Sequence, residues 1–203
     1  MKENAWTAAQ RSLSIETESI QDVFTYLDRE SFTKAVDALA HAERIITCAS
    51  GSSGFATMKL AHSLCCIERP AKFMSPAEAI HGGLGCVKKN DVVVMVSRGG
   101  KTSELMPIID VVKKKQAILI ALTENLESPL AQKADILMRM KIKSESDPLN
   151  LMATASFVAT IAIFDALLCA LIVETEYTAE QFALIHPGGA VGEKLNKEKS
   201  GEG

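Results

Sequence analysis

The stretch DVVVMVSRGGKTSE, residues 91–104, decides the predicted fold of this chain. Its five consecutive apolar residues, 92–96, do not alternate with polar ones, which is typical of a strand buried on both faces within a parallel sheet. The run ends in a loop of hydroxyl and glycine residues, 97–102, and an amphipathic helix follows. Because the first N–H groups of a helix have no intrahelical partner, this arrangement favours an anion. We therefore predict a phosphate-binding loop.

Four residues of this loop are candidate phosphate ligands: Ser97, Gly100, Lys101 and Thr102. The tripeptide from Gly100 to Thr102 is similar to the end of a nucleotide-binding P-loop. That motif also needs a glycine at position 95, where this chain has Met95 inside the strand, so we exclude it. An ordinary strand-to-helix turn, in which Gly and Ser are common, remains an alternative.

The same organisation occurs earlier in the chain. The apolar run RIITC, residues 44–48, leads into a Gly/Ser loop at 49–54 and then into a helical pattern. Two such loops at the carboxyl ends of parallel strands face one crevice, where open α/β sheets bind ligands. We therefore predict that Gly51, Ser52 and Ser53 contact the substrate.

The remaining pattern indicates an α/β fold. Apolar strands alternate with helices, which predicts a three-layer αβα sandwich around a parallel sheet. Two helices precede the first strand, and residues 151–173 form a long apolar helix. We predict a single domain over residues 1–196 and a flexible, solvated tail over 197–203. The predicted helices before the first strand are 3–27 and 32–42, and the predicted strands are 44–48, 71–74, 92–96, 116–122 and 135–142.

The composition of the chain excludes several classes of partner and of site. The 203 residues are 47% hydrophobic with a net charge of −3, so we expect neither a nucleic acid nor an anionic membrane as partner. Five cysteines without C-x-x-C spacing indicate a reduced, cytoplasmic setting, and adjacent cysteines make a poor tetrahedral metal site, so no metal is expected. Residues 151–173 are long enough to span a membrane, but Asp165 and the absence of basic flanks favour a core helix.

Five motifs carry a family resemblance. They are GSSG at 51–54, AIHGGLG at 79–85, SRGGKTSE at 97–104, SESDPL at 144–149 and ALIHPGGAVGEKL at 183–195. With these motifs the chain resembles the sugar isomerase (SIS) domain family along nearly its whole length, and within it the arabinose-5-phosphate isomerase group. The last motif is the most specific of the five.

The resemblance implies a flavodoxin-like, five-stranded parallel sheet. It also implies a homodimer or homotetramer with active sites near subunit interfaces, a phosphorylated sugar as substrate, and no cofactor. Many members of the isomerase group carry a pair of CBS regulatory domains after the catalytic domain. This sequence ends where those domains would begin, so we expect no regulation of that kind.

The resemblance also implies the catalytic residues. Glu145 matches a catalytic glutamate and is the first candidate for the base, while His81 and His186 match active-site histidines that could move protons near pH 7. Glu104 matches a further acidic residue of the site. Each has a structural alternative: a solvated loop carboxylate for Glu145, a turn cap for either histidine, and favourable helix electrostatics for Glu104.

Two positions depart from the family pattern. Ser52 stands where arabinose-5-phosphate isomerases have a lysine, and Gly99 stands where the family usually has a serine. The first change removes a positive charge, which Arg98 or Lys101 could replace. We predict an aldose–ketose isomerase that acts through an enediol on arabinose 5-phosphate or a related phosphosugar. The alternative is a sensor module that binds a sugar phosphate without catalysis.

Overall fold

A computed structural model describes residues 2–188 and residue 192, and its sheet confirms the predicted architecture. Five parallel strands lie in the order β2-β1-β3-β4-β5, the flavodoxin-like order that the resemblance implied. The strands are β1 (Ile45–Cys48), β2 (Ala71–Phe73), β3 (Val92–Val96), β4 (Ile118–Thr123) and β5 (Ile136–Arg139). The last strand is shorter than predicted because β4 ends at Thr123, whose carbonyl accepts the Met140 N–H just beyond β5.

The opening stretch forms the central strand, and its side chains alternate between two cores. Val92, Val94 and Val96 belong to the hydrophobic cluster on one face of the sheet. Val93 and Met95 belong to the cluster on the other face. All five side chains are almost completely buried, which explains why the sequence has no polar alternation there.

Helices cover both faces of the sheet. One face packs against α1 (Glu3–Tyr26), α2 (Arg29–His41), α3 (Gly51–Cys65) and α7 (Ala155–Glu174). The other face packs against α4 (Pro76–Ile80), α5 (Met106–Lys114) and α6 (Pro129–Lys133). A 3₁₀ helix at Gly83–Cys86 follows α4, and α8 (Ala179–Ile185) follows α7. The chain is therefore the three-layer sandwich that the sequence predicts.

The apolar helix α7 lies in the core, as predicted. It packs against α1, α2 and α3 and buries Phe164, Leu167 and Leu171. Among the described residues, its segment is the one helix long and apolar enough to cross a membrane by length and composition. It begins four residues later than predicted because the backbone first turns around Asp147, whose carboxylate accepts N–H groups from residues 149, 151 and 152.

The predicted domain boundary lies outside the described residues. The described part forms one sheet with helices on both faces. The end of the domain at residue 196, the tail at 197–203 and most of the motif after Gly188 fall among the residues that the model does not describe. The single-domain assignment over residues 1–196 therefore remains a proposal.

Candidate active site

The GSSG motif forms the first turn of a helix, whereas the sequence predicted a loop. Gly51 is the first residue of α3, and its positive φ of 59° is a conformation that glycine adopts without strain. Ser52 and Ser53 follow in the same turn. The first N–H groups of α3 therefore lie at the carboxyl end of β1, a position suited to an anion, and the contact of Gly51, Ser52 and Ser53 with a substrate stays a prediction.

A cavity of about 510 Å³ opens beside this turn. Its lining comes mainly from the segments that follow β1 and β2, together with Glu104 from the connection after β3. The cavity therefore lies at the carboxyl ends of the strands, the edge at which open α/β sheets bind ligands. Gly51 lines one side of it and Glu104 is the acidic residue in its lining. Most of the remaining lining is apolar, and it includes Phe55, Met58, Phe73, Pro76 and Ile80.

The Glu104 carboxylate is accessible within the cavity. The residue is exposed, and its carboxylate accepts a hydrogen bond from the Ser103 hydroxyl at 3.0 Å. It lies in the turn before α5, which begins at Met106, and not in the first turn of that helix as predicted. Its position next to the cavity is therefore the feature that needs a functional explanation.

The second predicted loop brings its two hydroxyls together. Ser97 Oγ and Thr102 Oγ1 lie 2.8 Å apart, and the Gly100 N–H donates to Ser97 Oγ at 3.0 Å. Ser97 is buried, whereas Lys101 is exposed and has no hydrogen bond or ion pair within the described part of the chain. The hydroxyls are thus prearranged as a pair, while the lysine is not fixed by any described contact.

Arg98 links two carboxylates at the top of the sheet. Its Nε donates to Glu124 at 2.7 Å, and its Nη1 donates to Glu145 Oε1 at 2.8 Å. The guanidinium keeps access to solvent, since the Arg98 side chain is 42% exposed, but the Glu145 side chain is only 3% exposed. Because charge-assisted hydrogen bonds are strong, both contacts fix the orientation of the guanidinium.

The Glu145 carboxylate is also held by the start of α7. Oε1 accepts from the Ser156 hydroxyl at 2.5 Å, and Oε2 accepts from the N–H groups of Thr154 and Ser156 at 2.9 and 3.1 Å. Burial alone raises the pKa of this carboxyl. The bonds from Ser156 and Thr154 and the charge of Arg98 outweigh it, so the pKa of Glu145 lies below its ordinary value.

This lowered pKa predicts a dependence of stability on pH. A carboxylate with a depressed folded-state pKa stabilises the protein above its unfolded-state pKa, about 4.3, and the contribution is lost as the pH falls through the folded-state value. We expect the free energy of unfolding of Glu145→Gln to fall less between pH 5 and pH 3 than that of the unchanged protein. Urea unfolding across this range measures both curves.

The matched control for this experiment is Glu127→Gln. Glu127 is an exposed glutamate whose side chain makes no hydrogen bond or ion pair within the described residues. Its replacement removes one carboxylate without touching the Arg98 pair. Equal pH slopes for Glu145→Gln and Glu127→Gln would contradict the assigned role of the buried carboxylate.

Ser52 and Ser53 face the Arg98 network across a narrow cleft. The cleft has a volume of about 10 Å³, and its lining includes both serines, Arg98 and Ser156. A space of this size holds one water at most. The first turn of α3 therefore has the Glu104 cavity on one side and the Arg98 cleft on the other.

The two histidines do not line either space within the described residues. His186 follows α8, stacks on Phe182 with ring centroids 3.7 Å apart, and contacts the Phe182 carbonyl through Nδ1 at 2.9 Å. Because a carbonyl only accepts, Nδ1 carries a proton and Nε2 is an acceptor in the neutral ring. His81 is exposed and comes directly after Ile80, which lines the larger cavity.

The comparison with known families agrees with this geometry. Residues 38–170 match the SIS domain family. The chain belongs to that family. The match covers β1 to most of α7, and so includes both Gly/Ser motifs, Glu104 and Glu145.

Individual SIS proteins are similar over most of the chain. Arabinose 5-phosphate isomerase KdsD of Pseudomonas aeruginosa is 36% identical over 189 residues, which are 93% of this chain and 58% of KdsD. The chain thus spans less than two thirds of the length of this curated relative. A structure from Listeria monocytogenes, provisionally named a sugar-phosphate isomerase, is 39% identical with a TM-score of 0.90, covering 93% of this chain and all of that one.

A third SIS relative has a ligand in its name. An Escherichia coli CFT073 protein in complex with A5P is 28% identical with a TM-score of 0.86, and the match covers 92% of this chain and all of that one.

The sequence did not predict three residues of the hydrogen-bond network around Arg98 and Glu145: Glu124, Thr154 and Ser156. Hydroxyl residues at the start of a predicted helix are an available signal for the last two, whereas the pairing of Arg98 with Glu124 spans 26 residues and leaves no local pattern.

Proposed function

We propose that this SIS chain is a sugar-phosphate aldose–ketose isomerase. The observation that carries the proposal is the accessible Glu104 carboxylate in a cavity at the carboxyl ends of the strands, next to the uncapped first turn of α3. A carboxylate can take a proton from C2 and return it to C1, while helix N–H groups hold a phosphate. The names of the relatives at 36% and 39% identity support the same class of reaction.

Glu104 is the better candidate for the base, although the sequence placed Glu145 first. A base needs a free lone pair that can reach the substrate. Both oxygens of Glu145 already accept hydrogen bonds from Arg98, Thr154 and Ser156, and its pKa lies below the ordinary range. In contrast, the Glu104 carboxylate accepts one hydrogen bond among the described residues and lines the cavity.

Phosphate binding is the second part of the proposal. Gly51, Ser52 and Ser53 supply N–H groups and hydroxyls, and the Ser97–Thr102 pair supplies two further hydroxyls. The substrate proposed first is arabinose 5-phosphate, with other pentose or hexose phosphates as alternatives. His81 and His186 remain predictions as proton carriers, since neither lines the described cavities.

A panel of substrates tests this function. We expect product formation from at least one aldose phosphate, with arabinose 5-phosphate tested first, and none from unphosphorylated arabinose at the same concentration. The unphosphorylated sugar is the control because it keeps the reacting carbons and lacks the anion. Saturable binding of a phosphosugar with no turnover across the panel would favour the sensor alternative.

The cytoplasmic location and the homodimer or homotetramer also remain predictions. The outer face of α1 supports an oligomer, because Trp6, Leu13 and Ile20 recur every seven residues and Phe24 lies beside them, all exposed. Contiguous exposed apolar side chains on a helix are typical of an interaction surface.

A further inference from the structure

We propose that Arg98 is the cation that contacts the phosphate of the substrate, and that Glu124 and Glu145 are positioning residues for it. The inference deepens the proposed function and rests on it. Of the described residues that line the larger cavity and the narrow cleft, Arg98 alone carries a full positive charge. It lines the narrow cleft together with Ser52 and Ser53 of the first turn of α3, where an anion is already favoured. The cleft itself is too small to hold a phosphate, so the proposed contact is with the solvent-exposed edge of the guanidinium at the mouth of the cleft.

The geometry of the guanidinium supports this role. Its two hydrogen bonds to carboxylates use Nε and Nη1, so the two donors on Nη2 have no recorded acceptor within the described residues. Arginine presents its five donors in a planar fork that suits a phosphate. A guanidinium fixed on one edge and 42% exposed is preorganised for an anion on its other edge.

Arg98 lies between two glutamates, so the other charges nearby decide whether the site repels an anion. Glu145 is compensated by other groups as well: the N–H groups of Thr154 and Ser156 begin α7, and a helix N-terminus carries about half a positive charge. The N-terminus of α3 adds a similar contribution next to Ser52 and Ser53. With two helix ends directed at the same region, the site is not net repulsive to an anion.

The other cation of the loop lacks these features. Lys101 is exposed, lines neither space and has no partner among the described residues. It lies three residues after Arg98 in the sequence and carries the same formal charge. Because the sequence made Lys101 a candidate ligand, Lys101→Gln tests the rival cation, and Lys89→Gln, at an exposed lysine that lines neither space, is the control for removal of a charge.

The main test measures two quantities for each variant. The first is the steady-state kinetics on a phosphosugar that the unchanged protein isomerises, and the second is inhibition of that reaction by inorganic phosphate. We expect Arg98→Gln to raise KM and the inhibition constant of phosphate by about 10- to 100-fold, the value of a charge-assisted hydrogen bond, with a smaller change in kcat. The Lys89→Gln control should change both constants by less than about twofold, and Lys101→Gln should change them less than Arg98→Gln does. A fall in kcat with unchanged KM and phosphate inhibition, or an effect of Lys101→Gln equal to that of Arg98→Gln, would overturn the proposal.

A rescue variant separates charge from folding. Ser52 faces the same cleft, so Ser52→Lys combined with Arg98→Gln returns a cation to the site. We expect this double variant to recover much of the lost phosphate inhibition. If Arg98→Gln does not fold, Arg98→Lys carries the test, because lysine keeps the charge but cannot hold both glutamates, and KM should then rise by about 3- to 10-fold.

The positioning role of Glu145 has its own readout. Glu145→Gln should raise KM and leave kcat nearly unchanged, and its effect should largely disappear when Arg98 is already glutamine, since the two residues act through one contact. Additive effects, or a loss confined to kcat, would refute this coupling.

The experiments distinguish a protein that has no isomerase activity from one in which Arg98 does not contact the phosphate. If the unchanged protein turns over no phosphosugar, calorimetric binding of arabinose 5-phosphate replaces kinetics. Binding that weakens more for Arg98→Gln than for Lys101→Gln, and not for Lys89→Gln, would then support the cation assignment in a sensor. An unchanged Kd for Arg98→Gln would overturn it.

Discussion

Replacement of Glu104 by glutamine is expected to lower kcat by about 10²- to 10⁴-fold while KM changes little, since general base catalysis contributes a factor of this size. The amide keeps the shape of the side chain and cannot accept the C2 proton. Glu104 is exposed and makes one recorded hydrogen bond among the described residues, so the fold should tolerate the change. Initial rates at saturating and limiting phosphosugar measure kcat and KM separately.

The control for this variant is Glu78→Gln. Glu78 is an exposed glutamate on α4 whose neighbours Ala77 and Ile80 line the cavity, whereas Glu78 itself does not. Its replacement removes the same charge from the same region and should leave kcat within about twofold. If Glu104→Gln kept full turnover while Glu145→Gln lost it, the base would be Glu145, as the sequence first indicated.

Replacement of Gly100 by alanine is expected to lower the free energy of unfolding by about 3 kcal/mol, because two penalties combine. The φ of 65° at Gly100 lies in the left-handed region, which costs a residue with a Cβ of the order of 1 kcal/mol. A Cβ there would also lie 1.9 Å from Ser128 Oγ. That hydroxyl is not free to move, because it caps α6 through the Ala131 N–H and donates to the Asn125 carbonyl. Chemical denaturation at neutral pH measures the difference.

The adjacent glycine provides the matched control. A Cβ on Gly99 would meet nothing within 4 Å, and its φ is not positive. Gly99→Ala should therefore change stability by less than about 0.5 kcal/mol. Equal stabilities of the two alanine variants would show that the close approach of Gly100 to Ser128 is not important for the fold.

The sequence predicted the sheet well because burial leaves a periodic signal. The run at 92–96 is apolar at every position because its side chains enter two separate cores, and the structure has it as the central strand. Helix starts were less predictable. Gly51 looked like a loop residue because Gly and Ser favour loops, yet α3 begins at Gly51 and buries Ala56, Leu60 and Leu64, so tertiary packing can override the local preference.

The sequence predicted several residues that belong to the candidate site, but it did not predict which of them are hydrogen-bonded to each other. Matching motifs placed Glu104 and Glu145 at the carboxyl end of the sheet, but spacing contains no information on which carboxylate is occupied by other groups. That depends on contacts of Glu145 with Arg98, 47 residues away, and with Ser156, 11 residues away. Long-range pairing of this kind follows from the fold and leaves no local pattern.

The central claim is proton transfer at a sugar carbon by the cavity carboxylate, and solvent deuterium exchange tests it most directly. The protein is incubated in heavy water with arabinose 5-phosphate and other pentose and hexose phosphates, and NMR follows both deuterium at C2 of the aldose and formation of the ketose. We predict product formation for at least one sugar, with deuterium entering beside the carbonyl, and loss of both signals in Glu104→Gln. Absence of both signals for every sugar with the unchanged protein would contradict the account.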